Sequence, residues 1–424
     1  MMRQITLMFF LLLGFSSFAQ YKPDVIVIGG SAAGTAAAIQ AAVSGVKVLL
    51  IEPGNVLIGD AEPVMDIPSF NHGIWKQWKD SYEKAKDSVA ISPQQALENL
   101  VKNTKKLTLL KGASIQELEQ KNNGWKLRVL VNGKQEKIKC KVLVDASANI
   151  RNSLLVKNNI LKLDSAGKFD ALVNYSKAQM ASPYQQVQKL YKTSGAAGFG
   201  KDSSLHFIPL GVFIPKDVDN LLVVSMSCFK DFETEDLKNL ALWTNMGQAA
   251  GALAAYGPFF GVSPKKASIR ITQNEMIDYK SFLFPVLDIK GDDVSWYPIQ
   301  KIIASGVLRM DFKTGKFSPD SAVFVEQIKG IMAQLYPRSR IWFIENKDVK
   351  QLTVGNVISL LSFVSGRDAI SIQEEVEKRW KGYYNFKSGF DMGKPINKRE
   401  FACLLDASIS PYNVNVDFNG YDLR

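Results

Sequence analysis

The pattern with the clearest chemistry lies close to the start of the chain. Gly29 and Gly30 end the short run Asp24 to Ile28, and Ser31, Ala33 and Gly34 open a stretch of small helix formers reaching Val43. Glycine at such a turn lets backbone approach a pyrophosphate, and the N-terminus of the following helix offers free N–H groups and a partial positive charge to it. Gly34 is where a helix must pack closely on a strand. Glu52 closes the next apolar run, Lys47 to Ile51, where a carboxylate can accept hydrogen bonds from a ribose. Ser31 holds the place of the middle glycine of G-x-G-x-x-G. Its side chain either crowds the phosphate or donates a hydroxyl to it. A unit of this build that holds no ligand stays open at this point.

Few other residues are equipped for catalysis. The chain has only two histidines, His72 and His206, which argues against a histidine-based metal site and any triad needing a spare histidine. His72 follows the second strand, and His206 precedes the run beginning at Ile208. Each reads either as a proton donor near a bound ring or as an ordinary loop or core residue. Lys238 is a candidate for an anionic substrate, and Asp60 and Asp66 form a carboxylate pair that nothing orients. Trp75, Trp78 and Tyr82 share a helical spacing that suits core packing better than sugar stacking. No catalytic residue is assigned. The three cysteines, Cys140, Cys228 and Cys403, are far apart and form neither a disulfide framework nor a zinc pattern.

The elements that must position these residues read as α/β. Asp24 to Ile28, Lys47 to Ile51, Leu107 to Leu110, Val142 to Val144 and Leu221 to Val224 are short apolar runs suited to strands buried on both faces of a parallel sheet. Ser31 to Val43, Gln94 to Lys102 and Leu240 to Tyr256 read as helices. Trp125 to Val131 and Gln135 to Lys139 alternate around Asn132-Gly133, a hairpin signature. Thr193 to Ser204 reads as a loose Ser/Gly stretch. Beyond Ser263 the composition turns more charged and helical. The expected layout is a signal peptide over 1–19, a nucleotide-binding domain over 20–262 with an inserted region at about 155–205, and a helical accessory domain over 285–424.

The 424 residues carry 52 Lys+Arg against 41 Asp+Glu, a net charge of +11. The lysines are scattered with no long basic run, so no nucleic-acid partner is expected. Arg3, the apolar run Ile5 to Phe15 and Ser17-Phe18-Ala19 have the order of a signal peptide. The expected location is therefore exported, periplasmic or secreted, from a bacterium. No later stretch is apolar enough to span a bilayer. The oligomeric state is open.

Four stretches, in order, resemble the FAD-dependent oxidoreductases of the two-dinucleotide-binding-domain kind. They are Asp24 to Pro53, Val142 to Ala148, Ile208 to Val224 and Met246 to Ala254. The chain is most similar to a secreted Bacteroidetes group labelled "xanthan lyase"-like. The resemblance implies FAD as cofactor, with Gly29, Gly30, Ser31, Ala33 and Gly34 at the pyrophosphate and Glu52 at the ribose. It implies Ile115 beside the adenine, and Asp145 and Ala146 along the dinucleotide. Gly247, Gln248 and Ala249 would meet the flavin pyrimidine at a helix N-terminus. The family's glycines are thinned here: Ser31 replaces one, Ser147-Ala148 stands for Thr-Gly, Gly59-Asp60 for Gly-Gly and Ser225-Met226 for Gly-Arg. Two functions follow. One is an exported FAD-dependent oxidoreductase that moves a hydride from a small organic or carbohydrate-derived substrate to flavin. The other is an inactive member that binds a glycan or serves as an envelope scaffold. A nicotinamide-only dehydrogenase fits the later stretches less well. In the last third, Trp296 to Leu335 resembles one S-layer-homology-like unit, and Pro395 to Phe401 resembles the start of the last helix of a second.

Overall fold

The structure is a computed structural model, and it describes residues 22–58, 71–84, 91–147, 149–185, 187–200, 203–232 and 239–423. The expected signal peptide, Asp60, Asp66 and Lys238 lie outside the described residues.

The five apolar runs form one parallel sheet. Its strands are β1 (Val25–Ile28), β2 (Val48–Glu52), β3 (Leu107–Lys111), β7 (Val142–Asp145) and β10 (Leu221–Val223), in the order β10-β7-β1-β2-β3. β1 sits in the middle, and its ends are the place where the chain switches direction across the sheet. Open α/β sheets present their binding crevice at such a point. Both faces are covered, so Val25, Ile26 and Val27 are fully buried, as the uninterrupted apolar run requires.

Helix α1 (Ala32–Val43) follows β1, and Gly45 takes a φ of 102° just beyond it. Next come α2 (Gly73–Lys84) and α3 (Pro93–Asn103), the latter opened by a reciprocal Ser92–Gln95 cap. β4 (Ser114–Lys121), β5 (Gly124–Val131) and β6 (Lys134–Cys140) make an antiparallel sheet. The expected turn joins β5 to β6, with positive φ at both Asn132 (49°) and Gly133 (76°).

The Ser/Gly stretch differs from its reading as a loose segment. It contains β8 (Ser194–Phe199), wholly buried and paired antiparallel with β9 (Leu205–Pro209). Its small residues serve the long helix α4 (Leu240–Phe260), because a side chain at Gly198 would press into Leu242 and one at Gly195 would overlap Leu210. Low side-chain bulk here marks close packing of strand on helix.

The last third is helical: α5 (Ile269–Asp278), α6 (Trp296–Ser305), α7 (Val325–Leu335), α8 (Ser339–Glu345), α9 (Val354–Ser365), α10 (Ala369–Gly382) and α11 (Lys398–Ser408). The sequence reading found two related units; the structure has three equivalent helix starts. Val323, Leu352 and Ile396, each fully buried, precede α7, α9 and α11. They close a ring of backbone hydrogen bonds: Val323 N–H to Ile396 O (3.1 Å), Ile396 N–H to Leu352 O (3.0 Å) and Leu352 N–H to Val323 O (2.9 Å). Two residues on, Val325, Val354 and Lys398 donate to Lys350, Lys394 and Ser321, in the opposite cyclic order. The helical third also meets the sheet-bearing part. Arg270, 5% exposed, donates to the carbonyls of Lys192, Ala304 and Val414, and its guanidinium lies 4.6 Å from the centre of the Tyr412 ring.

Candidate nucleotide site

Gly29, with a φ of 93°, ends β1, and a side chain there would strike the Ala146–Ser147 backbone. The turn therefore lies tight against the end of β7. Gly34 has the role expected of it, since a side chain would overlap the Gly29 carbonyl and push α1 off the turn. Ser31 caps α1. Its Oγ accepts from Gly34 N–H (3.1 Å) and donates to the Ala146 carbonyl (3.1 Å). The serine thus ties the turn to β7. The N–H groups of Ala32 and Ala33, on the first turn of α1, have no acceptor among the described residues.

Glu52 is placed by two backbone amides. Gly30 N–H donates to one carboxylate oxygen (2.5 Å) and Gly54 N–H to the other (2.6 Å). The residue stays half-buried, and the chain after β3 comes beside it, with Ala113 N–H donating to the Glu52 carbonyl (3.4 Å). Ile115, two residues along on β4, is also half-buried. The structure therefore gathers Gly30, Glu52 and the Ala113–Ile115 segment on one rim, an arrangement suited to an adenosine.

Asp145 ends β7 with no solvent exposure. Its carboxylate accepts from the Ser147 N–H (3.0 Å), the Ser147 hydroxyl and the Ser153 hydroxyl (2.7 Å). Burial pushes its pKa above the ordinary carboxylate value, and the serine hydrogen bonds offset that only in part. Ala146 N–H donates to Ile28 O (2.8 Å).

Gly247, Gln248 and Ala249 lie elsewhere in this geometry. The helix N-terminus is at Asn239, whose side chain accepts from the N–H groups of Ala241 and Leu242. Gly247 is about two turns inside, so its N–H and those of the next two residues are spent within the helix. A side chain at Gly247 would overlap the Ala33 carbonyl, which makes this glycine the crossing point of α4 on α1. Gln248 is 1% exposed; its Oε1 accepts from Ile74 N–H (3.2 Å) and its amide donates to Gln40 Oε1 (2.8 Å) and Tyr279 O (3.3 Å). The helix-terminus role expected of these three is corrected by the length of α4.

The candidate acids and bases are held by packing. His72 stacks on Trp296 (centroids 4.6 Å apart, 12° between planes) and abuts the Gly291 backbone, at the edge of a cleft of about 820 Å³ lined by Lys76, Lys280, Asp288, Lys290 and Tyr297. His206 is 2% exposed, with Nε2 2.8 Å from Ser204 Oγ and its ring near Phe232. Trp75 and Trp78 pack edge to face in the core, and Trp78 Nε1–H donates to Pro93 O. Cys140 and Cys228 are buried, and burial pushes the Cys228 thiol up to about 12. Sequence reasoning missed Asn245. Its Oδ1 accepts from Ala197 N–H (2.6 Å) and its Nδ2 donates to Ser281 Oγ (2.6 Å), which locks β8 onto α4. Nothing in its neighbourhood in sequence marks it. Among the described residues no helix is long and apolar enough to cross a membrane.

Residues 24–149 match the family model described as FAD dependent oxidoreductase. No curated protein matches the chain. Among solved structures the chain is similar to AlpK (10% identity over 57% of this chain and 63% of that one, TM-score 0.35). It is also similar to p-nitrophenol 4-monooxygenase PnpA from Pseudomonas putida DLL-E4 (11%, 34% and 45%, TM-score 0.25). A third is aklavinone-11 hydroxylase in a ternary complex with FAD and aklavinone (15%, 34% and 35%, TM-score 0.26). The chain spans less than two thirds of each of these proteins. FAD is the cofactor of the matched family. The adenosine diphosphate end fits it, with two helix N–H groups for a pyrophosphate and a pre-oriented carboxylate for a ribose. At the ring end, Gly247, Gln248 and Ala249 do not fit it, being packed within the protein. Residues 24–149, the sheet-centred part built around the glycine turn and Glu52, are thus similar to the FAD dependent oxidoreductases.

Proposed function

We propose that the chain is an exported FAD-binding protein that grips the dinucleotide at its adenosine diphosphate end. The observation that carries this is Glu52, held by Gly30 and Gly54 N–H on a half-buried rim beside Ala113. A carboxylate fixed in this way is ready to accept two ribose hydroxyls without reorganising. In the oxidoreductase reading, flavin takes a hydride from a small organic or carbohydrate-derived substrate. The protein's place in the secreted "xanthan lyase"-like group, with residues 285–424 as an accessory domain, belongs to the same proposal. A second reading, an inactive member serving as an envelope binding or scaffold protein, is favoured by α4. Its first two turns fill the interior beside β8, and no catalytic acid or base emerges among the described residues.

The test is the visible spectrum of purified residues 20–424, followed by titration with FAD. Yellow protein, or saturable binding below roughly 10 μM (about −7 kcal/mol), supports the reading. Absence of flavin together with no binding at about 100 μM overturns it. Bleaching of bound flavin by a substrate panel separates the oxidoreductase from the inactive member.

A further inference from the structure

We propose that the face at the starts of the parallel strands is a docking surface for an anionic lipid bilayer. Phe259 and Phe260 enter the interface, and the lysines beside them meet the headgroups. This face is at the opposite end of the sheet from the glycine turn, so it is separate from the nucleotide site.

The lysines are scattered in the sequence and gathered by the topology. Because all five strands are parallel, the residues that enter them share one edge. Backbone hydrogen bonds tie those residues together: Asp24 N–H to Lys47 O (2.8 Å), Lys141 N–H to Asp24 O (2.9 Å), Val48 N–H to Lys106 O (2.9 Å) and Leu143 N–H to Asn220 O (3.0 Å). The turn after α4 joins the same edge. A side chain at Gly257 would press on Val142, and Lys265 Nζ reaches the Asp219 carboxylate (2.9 Å) and the Lys216 carbonyl (2.7 Å). The segments at this edge, 22–24, 44–47, 104–106, 141, 215–220 and 259–266, hold eight lysines against three aspartates, Asp24, Asp217 and Asp219. Lys22, Lys47, Lys105, Lys141, Lys216 and Lys266 are exposed. Asp24 faces Lys141 (3.1 Å) and Asp219 faces Lys265, and a surplus of five positive charges remains. Clustered lysines of this kind are attracted to the negative surface potential of anionic lipid.

Beside these lysines an apolar tip protrudes. Phe259 is 69% exposed and Phe260 48%, with their rings 5.0 Å apart and Tyr256 4.4 Å from Phe260. The pair ends α4, and Gly261 just beyond it, with a φ of 70°, has open space where a side chain would project. Two adjacent phenylalanines held this far into water are unfavourable unless something covers them. A protein partner would need a pocket shaped to take them, and a soluble polyanion would use the lysines alone. A fluid bilayer accepts a protruding aromatic pair below its headgroups without a preformed pocket, and supplies the negative charge that the lysines match. The tip and the basic edge together select anionic lipid.

The experiment is co-sedimentation of purified residues 20–424 with phosphatidylcholine vesicles, with and without about one third phosphatidylglycerol. The chain is expected to bind the anionic vesicles, and to bind phosphatidylcholine alone at least about tenfold more weakly. Raising the salt to about 0.5 M weakens the anionic binding by about tenfold. Phe259→Ser combined with Phe260→Ser keeps the wild-type melting temperature, since neither ring belongs to the core, and loses about tenfold in vesicle binding. Lys47→Gln combined with Lys266→Gln loses about tenfold on the anionic vesicles. No binding to anionic vesicles overturns the proposal. So does vesicle binding that the phenylalanine variant retains in full. Retention on heparin without vesicle binding also overturns it, and would mark the face as a site for a soluble polyanion.

Discussion

Asp145 is the residue whose environment is most at odds with its charge. It sits at the end of a central strand with no solvent exposure, and no cation faces it in its hydrogen-bonding shell, only the hydroxyls of Ser147 and Ser153 and one backbone N–H. Its folded pKa is raised by burial. The favoured protonated form therefore contributes stability that is complete below the ordinary carboxylate pKa and is lost as pH rises through the folded value. Asp145→Asn, which keeps an acceptor for the serines, is expected to be more thermostable than wild type at pH 7.5. That difference shrinks as pH falls, and melting curves of both proteins from pH 4 to 8 check it; a difference independent of pH contradicts the raised pKa. Glu52 was legible in the sequence because a carboxylate ending the second strand has one habitual task. The state of Asp145 was not, since its partners are serines two and eight residues away, brought in by a turn that no periodicity announces. Ser31 was legible only as a choice between crowding and donating. The structure gives a third use, a cap that also ties the turn to β7.

At the scale of elements, the sheet was readable because strands buried on both faces must be uninterrupted apolar runs, and five such runs became its five strands. The hairpin was readable because Asn-Gly supplies two positive φ angles. β8 was not, because its glycines and alanines look like a loop until the helix they accommodate is present. The same closeness governs the contact of α4 with α1. Gly247→Ala places a methyl on the Ala33 carbonyl and is expected to cost about 3 kcal/mol or more. Gly261→Ala, near nothing but with a φ of 70°, is expected to cost about 1 kcal/mol. Urea denaturation of the two variants compares them, and equal losses would mean that α4 can shift away from α1. The expected contact of Gly247, Gln248 and Ala249 with a ring came from motif order. Motif order carries no information about where a helix begins. That depends on Asn239 as a cap and on β8 as a partner for the added turns.

Over the whole molecule, the helical third is bound to the sheet-bearing part through buried polar contacts that sequence cannot reveal, one of which joins residues 230 positions apart. Lys192, 3% exposed, pairs with Asp422 at 2.6 Å, and Gln334 donates to the other oxygen of Asp422. Asp422→Ala strands a buried ammonium and is expected to destabilise the protein by about 3 kcal/mol. If the two regions fold as one unit, the variant lowers a single cooperative transition; loss confined to one of two separate transitions would show them to be independent. Of the threefold ring of Val323, Leu352 and Ile396, the sequence marked one member, where Pro395 to Phe401 reads as a helix start; the structure shows an Asn397–Glu400 cap there. Its counterpart at Phe324 has no polar side chain to mark it.

All of this converges on the rim where Glu52 waits between two amides. Calorimetric titration of FAD into the wild-type chain and into Glu52→Ala tests that claim most directly. The account predicts saturable binding below roughly 10 μM for the wild type and a loss of about tenfold or more in the variant, from the missing ribose hydrogen bonds. Equal affinity in the two proteins, or no binding to either, would contradict it.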